Sequence, residues 1–264
     1  MIVCILTESR CYKAHQPAFP IGIVVHSTGA NNPWLKRYVQ PSKDDPDRAE
    51  LLAILGVNKS GNSWNRDVKK SAHYMIGKRA DGKVDTTMLL PEDYCAWGVG
   101  TGTKGSYNYN PTAHIQFEVC EDALVNEEYF LECYHAAVEL CADICRRYAW
   151  EADVIVSHHE AHELGYASNH KDIDHWLSKF GKTMDDFRAD VDLLLHPEKR
   201  VHGVGDRVRF TGKTQYRNAN AIVGKKASPC VATVKEVYRP EKARHPYLLQ
   251  GTGIYGWASA SDIE

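Results

Sequence analysis

The chain has 264 residues, 43% hydrophobic, 10% aromatic and 25% charged, which is enough apolar material for one large domain or two modest ones. That balance excludes wholesale disorder and fibrous repeats, and no stretch approaches the ~18 consecutive apolar residues of a membrane-spanning helix. The net charge of -2 conceals an asymmetry: residues 197–264 hold 12 Lys+Arg against 6 Asp+Glu, a balance of +6, which leaves -8 on residues 1–196. A basic segment on an acidic body reads either as a chance division of solvated charge or as a binding unit for an anionic polymer.

Along the chain, MIVCILTESRCYK opens on a short apolar run with no basic segment before it, so no secretory signal is read there. IGIVVHSTGA (21–30) is a β-branched run ending in a polar turn, a buried strand that presents His26 at its C-terminal end. SAHYMIGKRADGKV (71–84) reads as two strands joined by a turn at Ala80–Asp81–Gly82. HIQFEV (114–119) alternates strictly, sending Ile115, Phe117 and Val119 to one face and His114, Gln116 and Glu118 to the other.

Asn126 is a plausible N-cap for a helix with Glu127 and Glu128 in its first turn and Arg146 and Arg147 in its last. Between them Phe130, Ala137, Leu140, Ile144 and Tyr148 form the apolar stripe. DVIVS (153–157) is a short buried strand running straight into His158, and residues 175–195 supply one or two further helices. Interleaved strands and helices predict an α/β domain, a mixed central β-sheet flanked by helices. Composition changes near HPEKRVHG (196–203). GDRVRF, CVATVKEVY, PYLLQG and GIYGWAS then follow in a strand–turn rhythm that predicts a small β-barrel. The eight cysteines contain no CxxC pair and are expected to be reduced and mostly buried.

The chemistry is sought among the histidines at strand ends. His26, His158 and, in the loop YASNHKDIDHW, Asp172 make two imidazoles and a carboxylate, a common ligand set for a catalytic zinc with an open fourth position. Glu118 on the polar strand face is the candidate proton acceptor, and His170 is a candidate donor to a developing oxyanion. Taken singly, each histidine reads more readily as a surface or hydrogen-bonded residue than as a ligand. A competing pair, His158 and His162 around Glu160, lacks the register of the H-E-x-x-H motif. His73 and His114 sit on strands as cleft or core residues, and Gly98, Gly100, Gly102 and Gly105 read as a flexible loop beside the substrate.

IVVHSTGANNP, SAHYMIGKRADGKV, AHIQFEVCED and SHHEAHELGYASNHKDIDHW, in this order, resemble the zinc-dependent N-acetylmuramoyl-L-alanine amidases of type 2, a family that includes endolysins of Gram-positive bacteria and the peptidoglycan recognition proteins. The resemblance covers residues 1–196 and implies that His26, His158 and Asp172 hold Zn2+, that Glu118 is the general base, and that His170 occupies a position often taken by lysine. One branch of the family uses a tyrosine where this chain has Ala72, so the chain follows the glutamate branch. Residues 197–264 resemble bacterial SH3-like cell-wall-binding modules, in which Tyr216, Tyr247, Tyr255 and Trp257 are expected either to line a ligand groove or to pack the barrel.

The resemblance implies a zinc hydrolase, a phage or prophage endolysin, that cuts the amide between N-acetylmuramic acid and L-alanine. Its partners are bacterial peptidoglycan and, for the basic segment, an anionic wall polymer, with no nucleic acid and no membrane insertion. Such an enzyme is made in the host cytoplasm without a signal peptide and reaches the wall after release. The rival readings are a non-catalytic peptidoglycan-binding module and a zinc metallopeptidase acting on stem or cross-bridge peptides.

Overall fold

The computed structural model describes residues 1–196, 202–240 and 243–264, so residues 197–201, where the composition was expected to change, lie outside the described residues. The chain divides into two compact units, Met1–Leu195 and His196–Glu264.

The first unit is built on a six-stranded mixed sheet with the order β1-β4-β3-β5-β2-β6. Its strands are β1 (Ile2–Val3), β2 (Ile23–Ser27), β3 (Tyr74–Lys78), β4 (Val84–Met88), β5 (Ile115–Val119) and β6 (Ile155–Ser157). Strands β3, β5, β2 and the edge strand β6 run parallel, and β4 returns antiparallel to β3 through the turn that contains Gly82. The fold therefore agrees with the mixed α/β sheet expected from the sequence.

Alternation along β5 divides its side chains as the pattern HIQFEV requires. Ile115, Phe117 and Val119 pack with Ile23, Val25, Tyr74 and Ile76 under helix α3 (Glu127–Tyr148), which buries Phe130, Ala137, Leu140 and Ile144 against them. Asn126 caps that helix by accepting from the Tyr129 N–H at 3.0 Å. Helices α5 (Asp174–Lys179) and α6 (Met184–Leu195) complete this layer with Trp176, Leu177, Phe187 and Val191. Helices α1 (Arg10–Ala14), α2 (Arg48–Leu55) and α4 (His158–Glu163) carry no strong apolar period, and the sequence reading did not find them. All eight cysteines are free and seven are buried, as expected, and burial pushes the Cys11 thiol up to about 12.

The second unit is a six-stranded antiparallel sheet. Its order is β7 (Arg207–Phe210), β10 (Cys230–Val237), β11 (Tyr247–Gly251), β12 (Tyr255–Ala258), β8 (Thr214–Tyr216), β9 (Gly224–Lys226). Val208, Phe210, Ala232, Val234, Leu249 and Ala258 form its core. Tyr247, expected on a groove or in the core, is 1% exposed and belongs to that core, so its groove-lining role is corrected to packing. No described helix is long and apolar enough to cross a membrane.

His114 is a structural histidine. It stacks on Tyr107 with ring centroids 3.8 Å apart, donates through Nδ1 to the Thr112 carbonyl at 2.8 Å, and is pushed down to a pKa of about 4 by burial. Between roughly pH 6.5 and 4 the unfolded chain binds a proton at this residue that the folded chain refuses, so stability falls as pH is lowered through that window. His114→Phe keeps the stack and removes the titrating group. Its unfolding midpoint is expected to fall less steeply with acid than that of the wild type, and an unchanged slope would contradict the assignment.

Candidate metal centre and active-site cleft

The chemistry collects at the carboxyl ends of the parallel strands, where open α/β sheets bind their ligands. In the parallel register of β2 and β5, His26 lies beside Glu118, so both side chains leave the same face of the sheet. On the other side of β2, Ser157 at the end of β6 pairs with Val25, and the next residue, His158, begins α4. A capping box sets the direction in which that helix starts. Ser157 Oγ accepts from the Glu160 N–H at 3.1 Å, and Glu160 Oε2 accepts from the Ser157 N–H at 2.9 Å. Arg188 of α6 grips the same Glu160 carboxylate with two bonds of 2.9 Å.

Asp172 arrives from the loop between α4 and α5. The atoms that meet are His26 Nδ1, His158 Nδ1 and Asp172 Oδ2, separated by 3.0 Å between the imidazoles and by 3.1 and 3.4 Å from each to the carboxylate. A tetrahedral zinc with ligand bonds of ~2.0–2.1 Å needs ligand atoms about 3.3 Å apart. The donor set is also of the right kind, two neutral nitrogens and one anionic oxygen. These three residues therefore fit a zinc ion on separation and on chemistry.

Electrostatics distinguish the members. Burial pushes His26 below the ordinary imidazole range, against the pull of Asp172. Burial would raise Asp172, but hydrogen bonds from His158 and His26 outweigh it and hold the carboxyl well below the usual carboxylate range. Glu118 goes the other way. Burial, reinforced by the Asp172 charge and opposed by Lys70, raises its carboxyl well above the usual range. Its Oε2 is buried and has no hydrogen-bond partner.

All of these groups line one cleft of about 390 Å³, together with Thr28, Gly29, Gly98, Lys171 and His175. His170 stands at its mouth, 61% exposed, with its ring 4.9 Å from that of His158 and its Nδ1 4.0 Å from Asp172 Oδ1. The sequence reading missed the pair His175 and Glu121. His175 Nε2 lies 3.0 Å from Glu121 Oε1, its Nδ1 donates to the Lys171 carbonyl at 3.1 Å, and Glu121 also accepts from the Gly29 N–H at 3.2 Å. The pair thus clamps the loop that carries Asp172 onto the turn after β2. No motif marks it, because its halves come from the ends of two separate elements.

Two of the other histidines have structural duties. His73 accepts from the Gln116 N–H at 2.9 Å through Nδ1 and donates to the Tyr94 carbonyl at 2.9 Å. His162 turns its Nδ1 to the Ala167 carbonyl at 3.0 Å, and Glu160 is committed to the capping box, so the competing arrangement around residues 158–162 does not assemble. Ala72 is buried and brings no hydroxyl to the cleft. The glycine-rich stretch is tied down, with Gly102 donating to Gly105 at 2.8 Å and Lys104 to Gly165 at 2.7 Å. These bonds tie the stretch to itself and to Gly165, and of its four glycines Gly98 lines the cleft. In the second unit Tyr216 stacks on His245 at 3.4 Å, Tyr255 is 72% exposed, and Trp257 is half-buried near Tyr238.

A family profile described as N-acetylmuramoyl-L-alanine amidase matches residues 16–174. Among solved structures, the Staphylococcus aureus hydrolase AmiA, in complex with its ligand, is 14% identical with a TM-score of 0.50, covering 74% of this chain and 84% of that one. A mutant endolysin from Bacillus subtilis is 19% identical with a TM-score of 0.45, covering 72% of this chain and 97% of its own. The catalytic domain of XlyA is 18% identical with a TM-score of 0.44, covering 72% and 97%. The likeness to AmiA supports the fold of the first unit. No curated protein sequence matches significantly.

Gly98 has no room for a side chain, because a Cβ there would stand 2.2 Å from Gln116 Oε1 and 3.3 Å from His26 Nε2. Gly98→Ala is expected to cost about 1–3 kcal/mol through overpacking, read as a lower midpoint in denaturant with an unchanged slope. A midpoint equal to that of the wild type would contradict this packing.

Proposed function

The chain belongs to the N-acetylmuramoyl-L-alanine amidase family, and from that premise we propose that it is a zinc-dependent peptidoglycan hydrolase that cuts the amide joining the lactyl group of N-acetylmuramic acid to the L-alanine of the stem peptide. The observation that carries the reading is the convergence of His26 Nδ1, His158 Nδ1 and Asp172 Oδ2 within 3.4 Å of one another, in the cleft that also holds the unpartnered Glu118 carboxylate. A non-catalytic binding module has no use for such a set.

His26, His158 and Asp172 would hold the metal. Bound there, zinc supplies Lewis acidity, which polarises the scissile carbonyl and brings the pKa of water toward ~7. Glu118 takes the proton from the attacking water and returns it to the nitrogen of the departing L-alanine. Its buried position and the Asp172 charge suit it to this exchange, since both favour the protonated form it must pass through. His170, exposed at the mouth of the cleft, donates to the carbonyl oxygen as negative charge develops there. The His175–Glu121 clamp keeps the Asp172 loop seated while substrate enters.

The second unit is read as an SH3-like module that holds the enzyme on its insoluble substrate. The +6 balance of residues 197–264 and the exposed Tyr255 favour an anionic wall polymer as its ligand. An endolysin acting on Gram-positive walls combines these two tasks.

Glu118→Gln is expected to lower turnover by roughly 10²–10⁴-fold while zinc content stays at the wild-type level, measured on the same preparation. Retained turnover would remove Glu118 as the base. Asp172→Ala is expected to lose both metal and activity, and a full zinc complement in that variant would overturn the ligand assignment. Removing residues 203–264 is expected to reduce wall binding far more than hydrolysis of a soluble muropeptide, and equal losses would make the second unit part of the catalytic machinery.

A further inference from the structure

His26 presents Nδ1 to the ligand cluster, which leaves its Nε2 pointing back into the protein. That atom is buried and has no hydrogen-bond partner. The side-chain oxygen of Gln116 shares this condition, as Ser27 Oγ and Glu118 Oε2 also do. The Gln116 and His26 atoms crowd the same point above Gly98, Gln116 Oε1 at 2.2 Å and His26 Nε2 at 3.3 Å from where a Cβ would stand.

Gln116 is held with unusual thoroughness for a residue with no surface role. It is fully buried as the second residue of β5. Its backbone N–H donates to His73 Nδ1 at 2.9 Å, and its carbonyl accepts from the His73 N–H at 2.8 Å. Its amide nitrogen faces three acceptors: Asn108 Oδ1 at 3.0 Å, the Ala96 carbonyl at 3.2 Å and the Tyr107 carbonyl at 3.4 Å. With the NH₂ end committed, the amide cannot turn over without setting its oxygen against those oxygens. Its Oε1 must therefore stay on the side of His26.

We propose that Gln116 is the positioning residue for the first ligand: its Oε1 accepts from His26 Nε2–H and so holds the ring with the Nδ1 lone pair aimed at the metal. The inference rests on the zinc reading above. With the amide oxygen as its neighbour, a ring that kept its proton on Nδ1 would place two lone pairs face to face in a buried site. Two acceptors facing each other in a buried site repel and leave both unsatisfied. The outer ring nitrogen of His158 has a weaker counterpart, Ser168 Oγ at 3.5 Å, so the two imidazoles are supported unequally. A ligating histidine whose other nitrogen is engaged is oriented and made more basic, and loss of such a partner typically costs 10–100-fold in metal affinity.

The test compares zinc dissociation constants, by chelator competition on the full chain, for the wild type, Gln116→Met and Gln116→Glu. Both substitutions remove the NH₂ donors, and the second keeps an acceptor for His26. The expected result is a loss of about 10–100-fold for Gln116→Met, with Gln116→Glu within a few-fold of the wild type. Equal losses in both, or no loss in Gln116→Met, would overturn the proposal and leave Gln116 a packing residue. For the case in which a variant does not fold, the wild type carries its own readout. In the zinc-loaded protein the His26 Nε2–H should be a slowly exchanging proton resonance with cross-peaks to Gln116, and rapid exchange without that contact would equally overturn it. A wild type that takes up no zinc at all would instead sink the zinc reading itself.

Discussion

Three lone pairs aimed at one point are the constraint on which the first unit depends. His26 Nδ1, His158 Nδ1 and Asp172 Oδ2 stand 3.0–3.4 Å apart in a largely buried setting, an arrangement that carries a cost unless a cation or protons fill it. Everything near it serves to maintain that convergence. Strand β2 brings one imidazole, the capped start of α4 brings the second, and the His175–Glu121 pair holds down the loop with the carboxylate. The sheet contributes rigidity, since His26 and Glu118 are neighbours in one parallel ladder and cannot drift apart without unpairing strands.

The division of faces on β5 links the core to the chemistry. One face, Ile115, Phe117 and Val119, is packed under α3 and sets the height of the strand. The other carries Gln116, committed to positioning, and Glu118, left with an unpartnered oxygen. A slip of one residue in the register would send both polar groups into the helical layer. The polar face is thus secured by hydrophobic burial on the opposite side of the same strand.

Much of this was legible in the sequence because period and position coincide. The alternation of HIQFEV, the capped amphipathic helix starting after Asn126, and histidines at the ends of β-branched runs all mark elements that the structure contains. Residues 26, 158 and 172 could be nominated from their places along the chain, and the structure brings them together. What was not legible depends on contacts between distant segments. The burial of Tyr247, the His175–Glu121 pair and the anchoring of the glycine-rich stretch are set by tertiary packing that no local pattern records. The helicity of His158–Glu163 was hidden because a six-residue helix shows too little period. Its cap, Ser157 with Glu160, was the available signal.

The proposed reaction is hydrolysis of the lactyl–L-alanine amide in the cleft, with zinc held by His26, His158 and Asp172. It is tested most directly by measuring zinc content and then digesting purified Gram-positive walls, reading which new amino termini appear. About one zinc per chain and free L-alanine amino termini on an intact glycan are expected. New termini elsewhere in the stem or cross-bridge would make it a peptidase, and bound walls with neither zinc nor new termini would make it a recognition module; either result would contradict the account.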